Sequence, residues 1–254
     1  MPEMIKLYST LASIYHEMYQ QIFDYDKEFM FYHSFLKKKK CHKIIEIGCG
    51  TGLLAKRLIE AGYDYLGVDL YNEMLEIARK ETSSDRFIQG DMRYFQVDQN
   101  FDCALITGRS LAYIISDPEI ISTFRGIHHL LRDNGYFIFD SFDANKIFDN
   151  FTEESEQVVK SGSKTITRKN KMVRNLATGW TWDFNAKYII KENNATVEYD
   201  DFSTLRAFTR EEVHLFLKLT GFDLVELVQN SVLTVIAKKK KEDQSQNIFP
   251  LKNG

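Results

Sequence analysis

The residues best suited to chemistry lie in a glycine-rich turn at positions 46–55, which read EIGCGTGLLA. An apolar strand pattern precedes this turn and a helical pattern follows it. Glycines at such a junction allow a sharp turn and a close approach of the backbone to a nucleotide-type ligand. A dinucleotide fingerprint, G-x-G-x-x-G, would place its third glycine at position 53, where the chain has Leu53. The observed G-x-G-x-G spacing therefore disfavours a nicotinamide-dependent oxidoreductase and favours another nucleotide-like ligand.

The elements around this turn alternate between short apolar runs and longer helical patterns, which predicts a parallel sheet covered by helices. The strands are expected at 43–47, 65–68, 87–89, 101–106 and 136–139, and the helices at 52–61, 72–81 and 118–132. A helix at 210–220 and two strands at 223–228 and 232–237, joined by a tight turn near Asn230-Ser231, close this α/β unit.

Two further segments flank or interrupt the α/β pattern. Apolar residues at three-to-four spacing predict amphipathic helices at 6–19 and 24–40, and the first of these is rich in tyrosine. Between 143 and 207 the hydrophobic period changes to two, which predicts an antiparallel meander. We therefore expect an N-terminal helical lid at 1–40, a core at 41–142 and 208–238, an antiparallel insert at 143–207 and a flexible tail at 239–254.

Composition narrows the classes of function. The 254 residues carry a formal net charge of −3, whereas a general nucleic-acid binder needs a basic excess. The chain has no stretch of about 18 consecutive apolar residues and no basic flank followed by an apolar run at its N-terminus, so we expect no membrane span and no secretory signal. Three cysteines without zinc-ligand spacing fit reduced thiols and a cytoplasmic protein.

The glycine turn resembles motif I of the class I S-adenosylmethionine-dependent methyltransferases. Asp69 follows Gly48 by 21 residues at the end of the second strand, and residues 89–93 read QGDMR, as in that family. The resemblance implies a Rossmann-like, doubly wound, seven-stranded sheet with a reversed C-terminal hairpin. It covers the chain from about Tyr8 to Lys238.

The same resemblance implies the cofactor site. Asp69 would accept both ribose hydroxyls, because a carboxylate offers two acceptor oxygens. Asp91 would receive the adenine amino group while Met92 covers the ring, and Leu70 and Met74 would pack against the opposite side. The further cofactor-binding positions that it implies are Tyr15, Tyr25, Glu46, Gly48, Cys49, Gly50 and Thr107.

Within the superfamily, the chain resembles small-molecule enzymes such as the sugar-amine N,N-dimethyltransferases. The shared features are the tyrosine-rich leader, V-D-L-x-x-x-M-L-x-x-A-R at 68–79, G-D-M-R at 90–93 and the insert after the fifth strand. This implies methyl transfer to a small acceptor, with an amine as first choice, by a monomer or homodimer. Tyr15 and Tyr19 are the candidates for holding the nucleophile, and the candidates for the substrate wall are Arg109, Tyr113, Asp143, Trp182 and Arg206.

Missing motifs exclude several substrates. Amino-group methyltransferases acting on DNA bases carry an Asp/Asn-Pro-Pro-aromatic turn after the fourth strand, where this chain reads TGRS at 107–110. No cysteine follows a proline, as a cytosine-C5 enzyme would need. Metal-dependent catechol-type enzymes need an acid where this chain has Thr107, so we expect no metal.

Several alternatives stay open. An O- or S-methyltransferase of a small metabolite, and a non-catalytic cofactor-binding module, fit the same motifs. Tyr15 and Tyr19 could pack the leader onto the sheet, Trp182 could belong to the meander core, and Arg109 could form a structural ion pair.

Overall fold

A parallel sheet flanked by helices lies at the centre of the fold in a computed structural model that describes residues 4–229 and 232–241. In chain order its strands are β1 (Lys43–Ile47), β2 (Asp64–Asp69), β3 (Phe87–Gln89), β4 (Phe101–Ile106), β5 (Leu131–Asp143), β6 (Glu154–Ser161), β7 (Lys164–Arg174), β8 (Thr181–Glu192), β9 (Ala195–Phe208), β10 (Phe222–Gln229) and β11 (Leu233–Lys239). The helices are α1 (Ala12–Ile22), α2 (Tyr25–Lys39), α3 (Leu53–Glu60), α4 (Asn72–Thr82), α5 (Asp117–Leu130), α6 (Ala144–Asp149) and α7 (Arg210–Leu219), with 3-10 helices at Lys6–Tyr8 and Ser110–Tyr113.

The core sheet has the strand order β3-β2-β1-β4-β5-β11-β10. The first five strands are parallel, whereas β11 pairs antiparallel with β5 and β10 pairs antiparallel with β11. The predicted Rossmann-like sheet of seven strands with a reversed C-terminal hairpin is therefore confirmed. The predicted turn at Asn230-Ser231 and residues 242–254 of the predicted tail lie outside the described residues. Because the strand order reverses between β1 and β4, the carboxyl ends of these strands open a crevice.

Alternating side chains of the sheet pack into two apolar layers. Ile44 and Leu105 face a cluster that includes Leu36 of α2 and Leu58 of α3. Their neighbours along the strands face the opposite cluster, which includes Phe124 of α5. The period of two along each strand produces this division. The sheet is therefore packed on both faces, and the crevice lies at the carboxyl ends of its strands.

The insert is an antiparallel sheet of β6, β7, β8 and β9. Asn193 and Asn194 have φ values of 47° and 68° and form the tight turn between β8 and β9. The end of β9 pairs in parallel with the end of β5, through Phe142 opposite Ala207. The insert is thereby attached directly to the core sheet beside the crevice.

The N-terminal leader differs from the prediction. Instead of one helix at 6–19, a 3-10 turn at Lys6–Tyr8 precedes α1, which begins only at Ala12. The carboxylate of Asp201 on β9 accepts hydrogen bonds from the backbone N–H groups of Lys6 (2.8 Å) and Leu7 (3.0 Å). Contact with the insert therefore holds the first turn apart from α1, which a local helical pattern does not reveal.

Candidate active site

The glycine turn lies between β1 and α3 and is held close to β2. The backbone N–H groups of Gly48 and Cys49 donate to the carbonyl oxygen of Val68 at 2.7 and 3.0 Å. Gly48 has a φ of 78°, and a Cβ atom added there would lie 2.7 Å from Oγ of Ser110. Both the backbone conformation and the close approach require glycine at this position.

Asp69 ends β2 with its carboxylate directed at this turn. Its Oδ2 accepts from the N–H of Gly50 at 2.9 Å, and its Oδ1 accepts from the N–H of Tyr71 at 3.0 Å. Burial raises the pKa of Asp69 to about 6, against the lowering effect of these backbone hydrogen bonds. The carboxylate is thus fixed in orientation before any ligand is present.

Asp91 follows β3 and is oriented by an arginine that the sequence analysis did not single out. Arg93 donates to Asp91 from Nη2 to Oδ2 at 2.5 Å and from Nε to Oδ1 at 2.9 Å, and its Nη1 pairs with Glu119 at 2.7 Å. Partial burial raises the pKa of Asp91, but the hydrogen bonds from Arg93 outweigh it and leave the pKa below its usual value. Asp91 therefore stays ionised near neutral pH.

Glu46 lies in β1 beneath the turn and is almost fully buried. Its two carboxylate oxygens accept from the hydroxyl groups of Tyr65 (2.6 Å) and Thr107 (2.8 Å). Burial raises the pKa of Glu46 to about 7, although both hydroxyls lower it. This carboxyl group ties β1 to β2 and β4 at the base of the crevice.

These groups line one cavity of about 730 Å³, a volume typical of sites for small ligands and cofactors. We call the glycine turn at 48–52 together with Asp69 and Asp91 the cavity floor. Fourteen of the predicted site residues lie on the lining: Tyr15, Tyr19, Tyr25, Glu46, Gly48, Cys49, Gly50, Asp69, Leu70, Met74, Asp91, Met92, Thr107 and Tyr113.

A second part of the lining, which we call the cavity roof, consists of residues 202–204 of β9 and of leader residues Met4, Ile5, Tyr8, Tyr15, Tyr19 and Phe23. The rings of Tyr15 and Tyr19 stack with centroids 4.0 Å apart, and the hydroxyl oxygens of Tyr8 and Tyr113 are 2.5 Å apart. Burial raises the pKa of Tyr8 and of Tyr15 well above the usual value. The roof therefore presents neutral phenols to the interior at physiological pH.

Long-range contacts hold the roof in place. In addition to the bonds from Asp201 to the first turn, the N–H of Ile5 donates to the Tyr71 hydroxyl at 3.1 Å. Lys164 of the insert pairs with Glu17 of α1 at 2.6 Å. Ile14 and Met18 of α1 pack into an apolar cluster with insert residues. Residues of the leader and of the insert thus both belong to the cavity lining and contact each other.

Four predicted substrate-wall residues do not belong to the lining of this cavity. Arg206 is 1% exposed and pairs with Asp117 (2.7 Å) and Glu212 (2.8 Å). Trp182 is buried in a cluster with Ala112 and Leu205.

The other two are Asp143 and Arg109. Asp143 caps α6 by accepting from the N–H of Asn145 at 3.1 Å. The Arg109 guanidinium lies over the ring of Phe23, 4.7 Å from its centroid, and its backbone N–H donates to Asp140 at 2.5 Å. Packing, capping and ion pairing thus engage all four of these side chains.

The lining also contains residues that were not predicted. Tyr8 and Tyr71 approach the cavity, and their rings are 5.7 Å apart. Phe202 enters from β9, and Glu28 enters from α2. The tyrosine-rich leader gave a signal for Tyr8, but the contribution of β9 depends on a contact between distant segments of the chain.

Glu28 is a partly buried acid on the cavity lining. Burial, followed by repulsion from Asp140 and Glu46, raises the pKa of Glu28 to about 8. Arg109 and Arg57 oppose this rise. The cavity lining therefore has five acidic residues: Glu28, Glu46, Asp69, Glu73 and Asp91.

Metal sites and membrane-spanning helices were sought among the described residues. Among residues 4–229 and 232–241, no three His, Cys, Asp or Glu side chains are grouped so that they could hold a metal ion. Within the same part of the chain, no helix combines the length and apolar character needed to cross a membrane.

Comparison with known proteins agrees with this geometry. Residues 44–135 match the family described as methyltransferase domain. The chain is 28% identical over 227 residues to the putative methyltransferase YqeM of Bacillus subtilis, an alignment that covers 86% of this chain and 87% of that protein.

Solved structures show the same fold. Streptomyces venezuelae DesVI superimposes with a TM-score of 0.80 at 18% identity, covering 91% of this chain and 98% of that chain. The sugar N-methyltransferase KedS8 from Streptoalloteichus sp. superimposes with a TM-score of 0.79 at 20% identity, covering 89% of this chain and 93% of that chain.

Proposed function

We propose that this chain, which is an S-adenosylmethionine-dependent methyltransferase, transfers the methyl group to an amine nitrogen of a small molecule. The enzyme class predicted from the sequence motifs is confirmed by the methyltransferase domain at residues 44–135. The observation that carries the proposed acceptor is that one cavity has the cofactor motifs on its floor and neutral phenols on its roof.

The floor fits the adenosine part of the cofactor. Gly50 has a φ of 56°, a left-handed conformation that favours glycine, and it lies next to Met74 and the Tyr15 hydroxyl. The ordered carboxylate of Asp69 offers acceptor oxygens for the two ribose hydroxyls. Asp91, with Met92 beside it on the lining, suits the adenine amino group and ring.

The roof suits an amine acceptor. When bound, S-adenosylmethionine supplies a methyl group on a positively charged sulfur, and the carbon–sulfur electron pair stays on sulfur as the nitrogen–carbon bond forms. The nitrogen uses its lone pair, and the methylated ammonium releases any surplus proton to solvent. A neutral amine attacks without first losing a proton, whereas an alcohol must lose one. Phenol groups such as Tyr15 can accept an N–H hydrogen bond and orient the lone pair without ionising.

We also propose that residues 1–40 and 143–207 act as the lid of a core made of 41–142 and 208–238. Supporting this, leader and insert contact each other over the crevice through Asp201 and through Lys164. A closed roof aligns the acceptor and excludes water, and orientation can contribute roughly 7–11 kcal/mol to lowering a barrier. Tyr15 and Tyr19 remain our candidates for holding the nucleophile.

The test incubates the full chain with methyl-labelled S-adenosylmethionine and matched sets of primary amines, secondary amines, alcohols and thiols. We expect amine-dependent formation of S-adenosylhomocysteine with the label on nitrogen. Label on oxygen or sulfur would replace the amine acceptor with an alcohol or thiol. S-adenosylhomocysteine binding without turnover on any set would support a non-catalytic module instead.

A binding experiment tests the cofactor separately from the acceptor. At about 100 times its dissociation constant, S-adenosylhomocysteine should add about 2.7 kcal/mol to the free energy of unfolding. NAD at equal concentration should add nothing measurable. A stabilisation by NAD alone would contradict the proposal.

A further inference from the structure

His16 joins the leader to the cavity floor. It lies on α1, and its Nδ1 atom is 3.0 Å from Oγ1 of Thr51 in the glycine turn. Thr51 is 2% exposed, and the His16 side chain is 14% exposed. A hydroxyl group can donate or accept a hydrogen bond, so this contact forms whichever ring nitrogen of His16 carries the proton. It therefore connects a helix of the leader directly with the floor.

A second contact of the same ring fixes its orientation. The other ring nitrogen, Nε2, is 3.4 Å from Oε1 of Glu81 on α4. The second oxygen of Glu81 lies 3.7 Å from Nζ of Lys56 on α3. Nε2 also contacts the side chain of Gln20, one turn further along α1. The ring is thus held against the core at two points, the glycine turn and α4.

The other faces of α1 have different partners. Consecutive residues of an α-helix are rotated by about 100° around its axis. Ile14 and Met18 pack in an apolar cluster with insert residues, whereas Tyr15 and Tyr19 line the cavity. His16 lies about 200° from Ile14, so α1 is fixed to the insert on one side and to the core on the other. These two anchors determine the rotation of the helix, and they direct the two tyrosines between them into the cavity.

We infer that His16 is a positioning residue that couples closure of the lid to cofactor binding at the glycine turn. This inference rests on the proposed cofactor site. A ligand that orders the turn fixes Thr51, and Thr51 in turn fixes α1 through His16. The Tyr15 hydroxyl is thereby kept next to Gly50. Such a coupling is reciprocal: the cofactor orders the lid, and the ordered lid raises cofactor affinity.

Hydrogen exchange and calorimetric titration of the full chain with S-adenosylhomocysteine test this coupling without any acceptor. In the unmodified chain, the ligand should slow exchange of the α1 amides at 12–22 by about threefold or more. In His16→Ala this slowing should disappear, and the dissociation constant for S-adenosylhomocysteine should rise about 3- to 10-fold, as for the loss of one neutral hydrogen bond. The two changes should occur together, because the coupling is reciprocal.

Two conservative variants separate the two contacts of the ring. An Asn side chain reaches the position of Nδ1 and a Gln side chain that of Nε2, and both amides can donate and accept. His16→Asn should therefore keep the contact with Thr51 and retain both the slowing and the affinity. His16→Gln should keep only the contact with Glu81 and behave like His16→Ala. A residue that merely stabilised the helix would not distinguish these two variants.

The matched control is His33→Ala on α2. The Nδ1 atom of His33 is also 3.0 Å from a hydroxyl oxygen, that of Tyr63, but His33 does not belong to the cavity lining. Its replacement should leave the ligand-dependent slowing in α1 intact. It should also keep the dissociation constant for S-adenosylhomocysteine within about twofold of that of the unmodified chain.

A double-mutant cycle identifies the partner through which His16 acts. Thr51→Val keeps the branched shape of the side chain and removes the hydroxyl group. Because Thr51 belongs to the floor, this variant should itself weaken binding of S-adenosylhomocysteine. In that background, His16→Ala should cause no further loss of affinity, since the interaction of the pair is already absent. An undiminished effect of His16→Ala would show that it acts through another contact and would overturn the inference.

Four further outcomes would overturn the inference. If the ligand does not slow exchange in α1 of the unmodified chain, the lid is not coupled to the glycine turn. If His16→Gln retains the slowing and His16→Asn loses it, the contact with α4 holds the helix. If His33→Ala abolishes the slowing as well, a general loss of lid stability is the cause. If the unmodified chain does not bind S-adenosylhomocysteine, the proposed cofactor site fails together with the inference, and the absence of binding distinguishes this result from the others.

Discussion

The cavity floor and the cavity roof are built in different ways. In the floor, hydrogen bonds join Asp69 to Gly50 and Tyr71, positions that are 19 and 2 residues away along the chain. In the roof, Asp201 binds Lys6 across 195 residues, and Tyr8 meets Tyr113 across 105. The floor therefore depends on local turns of the sheet, whereas the roof depends on the docking of two separate segments. Changes in the floor should affect cofactor affinity, and changes in the roof should affect acceptor turnover.

The largest effect is expected for Asp69→Asn in the floor. The amide keeps one acceptor oxygen and loses the charge, so it cannot satisfy two ribose hydroxyls and two backbone N–H groups as the carboxylate does. We expect the dissociation constant for S-adenosylhomocysteine to rise by about 100-fold, because hydrogen bonds to a charged group contribute roughly 1.5–3 kcal/mol each. Calorimetric titration measures this change.

The control for that variant lies at the other end of β2. Asp64 is exposed and pairs with Arg86 at the surface at 2.8 Å. Asp64→Asn should leave cofactor affinity unchanged. Equal losses in the two variants would show that the charge of the strand, and not the position of Asp69, determines binding.

Asp201→Ala should separate the roof from the floor. The first turn of the leader loses the acceptor for the N–H groups of Lys6 and Leu7, so the lid closes less accurately. We expect kcat/KM for the acceptor to fall by about 30-fold, since small misplacements of reacting groups are costly, while S-adenosylhomocysteine affinity stays within about twofold. Hydrogen exchange at residues 5–11 should become faster.

Asp200→Ala is the matched variant for this experiment. The Asp200 carboxylate is 76% exposed and pairs with Lys187 at 3.0 Å on the surface of the insert. Its removal should change neither hydrogen exchange nor turnover. A loss of cofactor affinity in Asp201→Ala equal to its loss of turnover would contradict the separation of roof and floor.

Tyr15→Phe addresses the catalytic assignment within the roof. The ring still stacks on Tyr19, but the hydroxyl that approaches the glycine turn is removed. We expect kcat to fall by about tenfold, the upper range for one neutral hydrogen bond, with the free energy of unfolding nearly unchanged. Tyr94→Phe, at a ring that is 65% exposed, should have no effect on kcat. If Tyr15→Phe changes only stability, Tyr15 serves packing.

The contrast between the local contacts of the floor and the long-range contacts of the roof explains which residues the sequence could predict. Every predicted cofactor residue lies on the cavity lining. For those of the core, strand ends and glycine spacing determine where the side chains lie relative to the sheet, whereas Tyr15 and Tyr25 were expected only from the family resemblance. Among the predicted substrate-wall residues, only Tyr113 lies there. Arg206 is instead buried and pairs with Asp117 and Glu212. Trp182 packs where the insert meets the core, against Phe142 and Ala112.

Those two placements depend on which face of β8 and β9 meets the core. A hydrophobic period of two indicates that the two faces of a strand differ. Which of the two faces is directed at the cavity depends on contacts between distant segments of the chain. Glu28 was missed for the same reason. It is a charged residue in an amphipathic helix, and its interaction with Glu46 of β1 and Asp140 of β5 becomes apparent only in the folded chain.

The smallest expected effect concerns Glu46, which lies beneath the floor and joins it to β4 through Thr107. Burial raises the pKa of Glu46 to about 7, whereas its ordinary value is 4.5. The folded protein therefore holds this proton up to a higher pH than the unfolded chain does. Between about pH 4.5 and 7 folding takes up protons, so the free energy of unfolding falls as pH rises, by at most about 1.4 kcal/mol per pH unit for one group.

We expect Glu46→Gln to flatten this decline by about 1 kcal/mol per pH unit, or about fivefold in the unfolding equilibrium constant. Urea unfolding at pH 5, 6 and 7 measures the slope. Part of the slope should persist in the variant, because burial also raises the pKa of Asp69 to about 6 and that of Glu28 to about 8. Glu73→Gln, at an exposed residue of the same cavity, should keep the slope of the unmodified chain. A stability that rises from pH 5 to 7, or an identical slope in Glu46→Gln, would show that Glu46 is ionised in the folded protein and that its two hydroxyl partners outweigh its burial.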